Sequence, residues 1–400
     1  IARLVKNTNY IKFEKHERIL QTGSIIFDAC TFEIWGALLN GFELYIIKKQ
    51  DLLDPILLEK YLIDNKITIL WLTAPLFNQL SESKPDMFRT VRVLLTGGDV
   101  LSPKHINAVK KYCPNLTIIN GYGPTENTTF STCFTIDKYY EDSIPIGFPI
   151  ANSTCYIVSP TLKLLPIGVS GELLVGGDGV SRCYLNNAQF TAEKFISNPF
   201  GSGKLYKTGD LAKWLPDGSI DFIGRVDNQV KVRGFRVELN EITLRIHEFA
   251  NIKECITLVK TINNEKVICS YFSANHKIET NALRAWLTEC LPHYAIPSYL
   301  IQLDILPINA NGKVDIKKLP EPRALNAKSE IILPRNEFDT KLIELLKNLL
   351  NINEISIDDN FLELGGDSLS SINLCIQIQN EFNIQLFVKD ILEHPVISEL

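Results

Sequence analysis

The sequence predicts an α/β protein: a mainly parallel sheet covered by helices, then a β-rich part, a small α+β part and a small helical bundle. Three observations predict this. Short β-rich runs alternate with helical stretches over residues 1–223, the rhythm changes to strand–turn–strand after about residue 150, and apolar residues recur at helical spacing from Phe338 onward.

The elements follow in order. FELYII (42–47), ITILWLT (67–73), VRVLLTGG (91–98) and LTIINGYG (116–123) are apolar, β-branched runs and read as strands. Between them, 54–65 and 102–112 read as helices, the second opened by Ser102 as N-cap and Pro103 at the first helical position. TCYIVS and GELLVGG read as strands, and the Pro-Asp-Gly of WLPDGSIDFIG marks a hairpin. In the stretch from about 228 to 320, EITLRIHEF and NALRAWLTECL read as helices, with ITLVKT and VICSYFS as strands. The polar, proline-flanked RALNAKSEIILPR (323–335) reads as a linker. Beyond it Phe338, Leu342, Leu345, Leu346 and Leu349 form one helical face, opening a helical domain over 336–400.

Composition excludes several classes. With 45% hydrophobic and 22% charged residues in 400, the chain reads as an ordinary globular protein. No apolar run approaches the roughly 18 residues of a membrane span, and no signal peptide opens the sequence. It begins at Ile1 and its single methionine is Met87, which reads as a piece of a longer polypeptide. Nine cysteines without a C-x-x-C pair read as free thiols of a reducing cytoplasm, and the six histidines lack metal-ligand spacing. From Asn336 to Leu400, twelve acids stand against three lysines, an acidic appendage suited to basic faces of partner proteins or simply to solubility. No basic, aromatic-interleaved stripe points to nucleic acid.

Five turn segments carry chemistry-bearing residues. NGYGPTE (120–126) offers backbone amides, a threonine hydroxyl and a carboxylate, a set able to hold phosphate oxygens and a Mg²⁺. YKTGDL (206–211) puts Asp210 after a tight turn, suited to accepting from ribose hydroxyls. GRVDNQVKVRGFRVELNEI (224–242) packs charges around two glycines, LPHYAIP (291–297) follows, and NANGKVD (309–315) holds Lys313 on a glycine turn. Each alone reads as a surface turn. FLELGGDSLSSI (361–372) hands the chain through two glycines and Asp367 to Ser368, which alone reads as a helix N-cap.

In this order the segments resemble the adenylation domains of nonribosomal peptide synthetases, in the superfamily shared with acyl-CoA ligases and luciferases. FDACTFEIWGALLNG (27–41) resembles the family's substrate-binding segment, GELLVGGDGVSRCYL (171–185) another core motif, and FLELGGDSLSSI the carrier-protein signature. The resemblance implies an α/β adenylate-forming enzyme fold. The C-terminal part of the large subdomain, with its β-rich part, would occupy 1–226, and the small α+β lid 227–322. After the linker at 323–335, a helical-bundle peptidyl carrier domain would occupy 336–400.

It also implies roles. Tyr122 would lie along the adenine, with Gly121 and Gly123 in the same loop; Thr125 would contact the α-phosphate and Glu126 would hold Mg²⁺. Asp210 would bind the ribose hydroxyls with Arg225 beside them, and Lys313 would bridge the α-phosphate and the attacking carboxylate. Asp227 matches the hinge about which the lid turns. Ser368 would carry 4′-phosphopantetheine, attached by a phosphopantetheinyl transferase. Pocket positions are Asp28, Ala29, Phe32, Trp71, Leu95, Gly97, Gly121, Thr129 and Phe130, with Lys313 the constant tenth. Asp28 is the only acid among them and would pair with an α-ammonium, so the substrate would be an amino acid. The aromatics suit a short aliphatic side chain, and the lining resembles the valine pattern. Taken as unplaced residues, Trp71 and Phe32 read better as core aromatics. The implied reaction is ATP-dependent aminoacyl-AMP formation and transfer to the thiol on Ser368, beside condensation, thioesterase or epimerisation domains.

The sequence departs from the family at several points. The family's phosphate-binding Gly/Ser/Thr/Lys loop lies upstream of the substrate segment, so the chain as given is expected to be inactive by itself. Cys183 replaces a glycine, which would strain a position needing positive φ, and Asn240 replaces another. Cys30 replaces a serine. Two rivals stay open: an acyl-CoA ligase, and a carrier module with an inactive adenylation remnant.

Overall fold

The computed structural model describes the chain except residues 227–229, 233–234, 263–264, 309–313, 323–331, 351, 353, 362–363, 365, 367, 385, 388–389 and 392–393. It divides into two compact units, Ile1–Gly234 and Phe235–Leu400.

The first unit opens with the short helix α1 (Ala2–Val5), then β1 (Arg18–Gln21), α2 (Ala29–Leu38), β2 (Glu43–Ile46), α3 (Lys49–Leu53), α4 (Pro55–Asp64), β3 (Ile69–Thr73), α5 (Ala74–Ser83), β4 (Val93–Gly97), α6 (Pro103–Tyr112), β5 (Thr117–Tyr122), β6 (Thr132–Thr135) and β7 (Phe148–Pro149). The strands make one seven-stranded sheet ordered β2-β1-β3-β4-β5-β6-β7. The first five are parallel, while β6 and β7 join antiparallel. Leu70, Leu72, Leu94 and Ile118 point into a core with Leu58, Phe77 and Ile106 of α4–α6. Their neighbours Ile69, Trp71, Leu95 and Ile119 point the other way, onto Leu4 and Val5 of α1 and Phe32 of α2. Both faces are covered, so the strands read as continuous apolar runs.

Asp54 caps α4 by accepting from Ile56 and Leu57 N–H at 2.8 and 3.0 Å. Pro103 opens α6 as expected, but the Ser102 hydroxyl makes no capping bond and instead meets His105 Nδ1 at 2.7 Å.

A second, antiparallel sheet follows, from β8 (Ser153–Val158), β9 (Gly171–Gly177), β10 (Phe195–Ser197), β11 (Lys204–Trp214) and β12 (Ile220–Arg225), with α7 (Ala188–Lys194) between β9 and β10. The Pro-Asp-Gly hairpin joins β11 to β12, with Gly218 at φ +82°. Ile157, Leu173, Val175, Tyr206 and Ile220 form its core together with Tyr122 from the end of β5. The short β13 (Val230–Val232) ends the unit.

The second unit holds β14 (Phe235–Val237), α8 (Leu239–Glu248), β15 (Ile252–Ile262), β16 (Glu265–Ala274), α9 (Thr280–Cys290) and β17 (Tyr299–Leu303). β15 and β16 form an antiparallel hairpin and β17 runs parallel to β16. Its helical part has α10 (Glu337–Leu350) and α11 (Ser368–Phe382). Their core gathers Leu342, Leu346, Leu374 and Ile378 around Phe361. Among the described residues no helix is long and apolar enough to cross a membrane. All nine cysteines are free.

Candidate active site

The loop between β5 and β6 is the centre of the site. A Cβ on Gly123 would stand 2.2 Å from the Thr129 carbonyl oxygen, so only glycine lets the chain fold back this tightly. A 3₁₀ turn spans Thr125–Asn127, after which Thr128 and Thr129 take φ of +54° and +64°. Two β-branched residues in left-handed backbone cost of order 1–3 kcal/mol each and persist only where neighbours over-determine them. Those neighbours are visible. Thr129 N–H donates to Asp28 Oδ2 at 3.1 Å, and its hydroxyl donates to the Asp28 carbonyl at 2.8 Å. The Thr128 hydroxyl donates to the Gly179 carbonyl at 2.7 Å.

Asp28 sits at the N-cap of α2, yet its side chain does not cap that helix. It turns to the Thr125–Thr129 loop instead. Burial raises its pKa, hydrogen bonds from the Thr125 side chain and Thr129 N–H counter that, and the Glu126 carboxylate adds to the rise. A cation brought to this carboxylate would relieve that cost.

The pocket positions predicted from sequence come together. Trp71 and Leu95 are register partners on β3 and β4, and Gly97 and Gly121 on β4 and β5. A Cβ on Gly121 would lie 2.7 Å from the Phe130 ring, and one on Gly97 would lie 2.0 Å from the Gly121 carbonyl oxygen. Phe130 packs against Trp71 and Phe32 at 5.1 and 5.8 Å between ring centroids. Phe32, Trp71, Leu95 and Phe130 are buried in one apolar cluster with Ala29 at its margin, so these aromatics are core residues and neighbours of Asp28's helix at once.

A polar network lies on the second sheet. Asp210 and Arg225 are cross-strand partners on β11 and β12; Arg225 Nη1 donates to Asp210 Oδ1 and the Tyr122 hydroxyl donates to Oδ2. Burial and the neighbouring Asp210 carboxylate drive the Tyr122 pKa upward. The Tyr122 ring is buried, 6.5 Å from that of Phe222. Glu126 Oε1 accepts from the hydroxyls of Tyr184 at 2.5 Å and Tyr206 at 2.8 Å. One buried carboxylate beside a threonine is a donor set that fits Mg²⁺, which keeps water and phosphate as its other ligands. Among the described residues no cluster of three or more His, Cys, Asp or Glu could hold a metal by itself.

Sequence reasoning missed three contributors. Tyr184 and Tyr206 stood inside quoted motifs without a role. Arg3 carried no signal, yet its guanidinium reaches into the Asn127–Phe130 loop. Cys183 is exposed and its φ is not positive, so the strain considered for it does not arise. Asn240 lies within α8, in helical backbone. Lys313 and Asp227 lie outside the described residues. Helix α11 begins at Ser368 itself, though that side chain is outside the description. A Cβ on Gly366 would stand 2.4 Å from the Phe361 ring, so Gly366 lies directly on the core of the helical part. A serine hydroxyl at the start of a helix is the group that a phosphodiester attachment needs.

Comparison with known proteins gives this geometry its context. Residues 1–185 match the family model for AMP-binding enzymes, and residues 340–400 the model for the phosphopantetheine attachment site. The chain is 49% identical over 403 residues to gramicidin S synthase 2 of Brevibacillus brevis, covering 100% of the chain and 9% of that protein. It is 46% identical over 402 residues to surfactin synthase subunit 2 of Bacillus subtilis (strain 168), covering 100% of the chain and 11% of that protein. The chain therefore spans only a small fraction of these curated relatives. Among solved structures, holo-PA1221, an NRPS protein containing adenylation and PCP domains bound to a vinylsulfonamide inhibitor, superposes with a TM-score of 0.84 at 32% identity, over 99% of this chain and 67% of that one. With the adenylate-forming fold in front and the helical carrier behind, the chain belongs to the nonribosomal peptide synthetases, as an adenylation region of the ANL superfamily joined to a peptidyl carrier region.

Proposed function

We propose that this chain selects and activates a small aliphatic amino acid, valine above all, as its aminoacyl-AMP, and passes it to its own carrier region. The observation that carries the reading is the Asp28–Thr129 pair: the one acid of the pocket is bonded to the loop that bears Thr125 and Glu126. An ammonium at Asp28 and phosphates at Thr125 would thereby be held by a single loop.

In the reaction a substrate carboxylate oxygen attacks the α-phosphorus of ATP. A P–O bond forms there, the bond to the bridging oxygen of the β-phosphate breaks, and pyrophosphate leaves with that electron pair. Asp28 would fix the ammonium end, Thr125 the α-phosphate, Asp210 with Arg225 the ribose, and Lys313 the crowded anionic oxygens, so positioning and charge supply the acceleration. Glu126 would hold a Mg²⁺, which neutralises phosphate charge. Ser368 would carry 4′-phosphopantetheine, installed by a phosphopantetheinyl transferase, whose thiol accepts the aminoacyl group. Asp227 would be the hinge on which the lid exchanges Lys313 for the carrier. Phe32, Trp71 and Phe130 leave no charged partner for a side chain, and an apolar wall rejects one methylene by only about 1–3 kcal/mol. Isoleucine would therefore leak through. Neighbouring condensation, thioesterase or epimerisation domains would supply and consume the thioester.

The test is ATP–pyrophosphate exchange in a polypeptide carrying the family's phosphate-loop segment ahead of Ile1. Valine should drive exchange best, and Asp28→Asn should abolish valine-driven exchange or raise its KM strongly. Exchange driven equally well by the deaminated acid would overturn the reading in favour of an acyl-CoA ligase, and absence of any exchange would favour an inactive remnant.

A further inference from the structure

Arg3 is 5% exposed, on the four-residue helix α1 whose Leu4 and Val5 are buried as well. A buried arginine must spread its charge over acceptors. Here Nη1 donates to the Phe130 carbonyl at 2.8 Å and to Ser153 Oγ at 2.7 Å, while Nη2 donates to the Thr128 carbonyl at 2.9 Å and to the Asn127 carbonyl. Asp178 adds a favourable charge nearby. Room for this is built in, because a Cβ on Gly179 would stand 2.0 Å from Arg3 Nη2. The Gly179 carbonyl in turn holds the Thr128 hydroxyl.

These contacts fall on the strained stretch of the loop. The carbonyls of 127, 128 and 130 bracket Thr128 and Thr129, the two threonines with positive φ. Asp28 also holds Thr129, accepting from its N–H and hydroxyl. The loop is thus held by two separate groups, and Phe130, which covers Gly121, is the next residue along.

We propose that Arg3 is a positioning residue for amino-acid selection: its planar fork gathers the carbonyls of Asn127, Thr128 and Phe130, setting how Thr129 meets Asp28 and where the Phe130 ring closes the pocket. This rests on the pocket reading above. Lysine cannot substitute, because a single ammonium does not span three carbonyls in one plane.

The experiment compares Arg3→Gln, Arg3→Lys, Gly179→Ala and Asp28→Asn in the exchange assay, with valine, isoleucine and leucine, and adds amide hydrogen exchange over 127–130. Arg3→Gln should raise KM for valine about tenfold or more, flatten the preference among the three, and leave KM for ATP within about threefold. Gly179→Ala, which displaces the guanidinium without deleting it, should move the same quantities in the same direction. Arg3→Lys should keep the preference flattened, and residues 127–130 should exchange faster in all three. If Arg3→Gln does not fold, Gly179→Ala and Arg3→Lys carry the same readouts. Unchanged valine KM and preference in the folded variants, or a uniform fall in kcat at unchanged KM, would overturn the proposal. Asp28→Asn separates the two ideas: if it leaves valine KM unchanged, the pocket reading fails; if it abolishes exchange while the Arg3 and Gly179 variants behave as wild type, only the role of Arg3 fails.

Discussion

Asp210 and Arg225 face each other across β11 and β12, and the guanidinium meets a carboxylate that is itself buried, with side-chain exposures of 14% and 5%. Removing one partner of such a pair strands the other. Arg225→Gln should destabilise the first unit by about 3–5 kcal/mol, read in urea melts, and should raise KM for ATP. A variant as stable as wild type would mean that Asp210 finds compensation elsewhere.

Tyr206 is fully buried and its hydroxyl donates to Glu126. Tyr206→Phe keeps the ring and deletes one donor to the carboxylate expected to hold Mg²⁺. Stability should fall by about 1 kcal/mol, and apparent Mg²⁺ affinity in the exchange assay by about tenfold. A Mg²⁺ titration decides it.

Glu33 on α2 is fully buried and accepts the N–H groups of Thr22 and Gly23 at 2.9 and 3.2 Å. Burial nonetheless raises its pKa from 4.5 to about 7. The folded chain then holds a proton that the unfolded chain has lost, so this group's stabilisation is complete below pH 4.5 and disappears as pH rises through 7. Its span is up to about 3 kcal/mol. Urea melts from pH 5 to 8 should show wild type losing stability relative to Glu33→Gln; parallel profiles would refute the shift.

Gly97 and Gly121 are register partners with opposite tolerance. Alanine at 97 meets the Gly121 carbonyl of the adjoining strand, and backbone cannot step aside, so Gly97→Ala should cost about 3 kcal/mol or more. Alanine at 121 meets the Phe130 ring, a packed side chain but not backbone. Gly121→Ala should therefore fold and shift preference toward a smaller amino acid, measured by exchange with alanine against valine.

Ser368 opens α11. Treatment with a phosphopantetheinyl transferase and coenzyme A should add one phosphopantetheine mass to the chain, and Ser368→Ala should abolish that gain. A gain that survives the substitution places the arm elsewhere.

Much of the fold was legible because burial on both faces leaves uninterrupted apolar runs: the runs at 67–73, 91–98 and 116–123 contain β3, β4 and β5. β1 escaped notice because RILQ is four residues with polar ends and no period to detect. Ser102 is the N-cap residue of α6 as its following proline predicts, but the serine–proline pair says where the helix starts and not which partner the hydroxyl takes, which is His105. Arg3 was invisible for a different reason. A single arginine near a chain end is ordinarily solvated, and its acceptors here, on the 127–130 loop and at Ser153, lie more than a hundred residues along the chain.

The sequence by itself determined the residue types, their order and the local turns: which strands are apolar on both faces, where glycines permit close approach, and which acid and serine carry family motifs. Tertiary structure alone decided the partners. Asp28 abandons its own helix for Thr129, Arg225 and Tyr122 divide the oxygens of Asp210, and Arg3 holds a loop more than a hundred residues along the chain. Periodicity is a property of a few adjacent residues, whereas a buried polar group is satisfied by whatever acceptor the folded chain brings within about 3 Å.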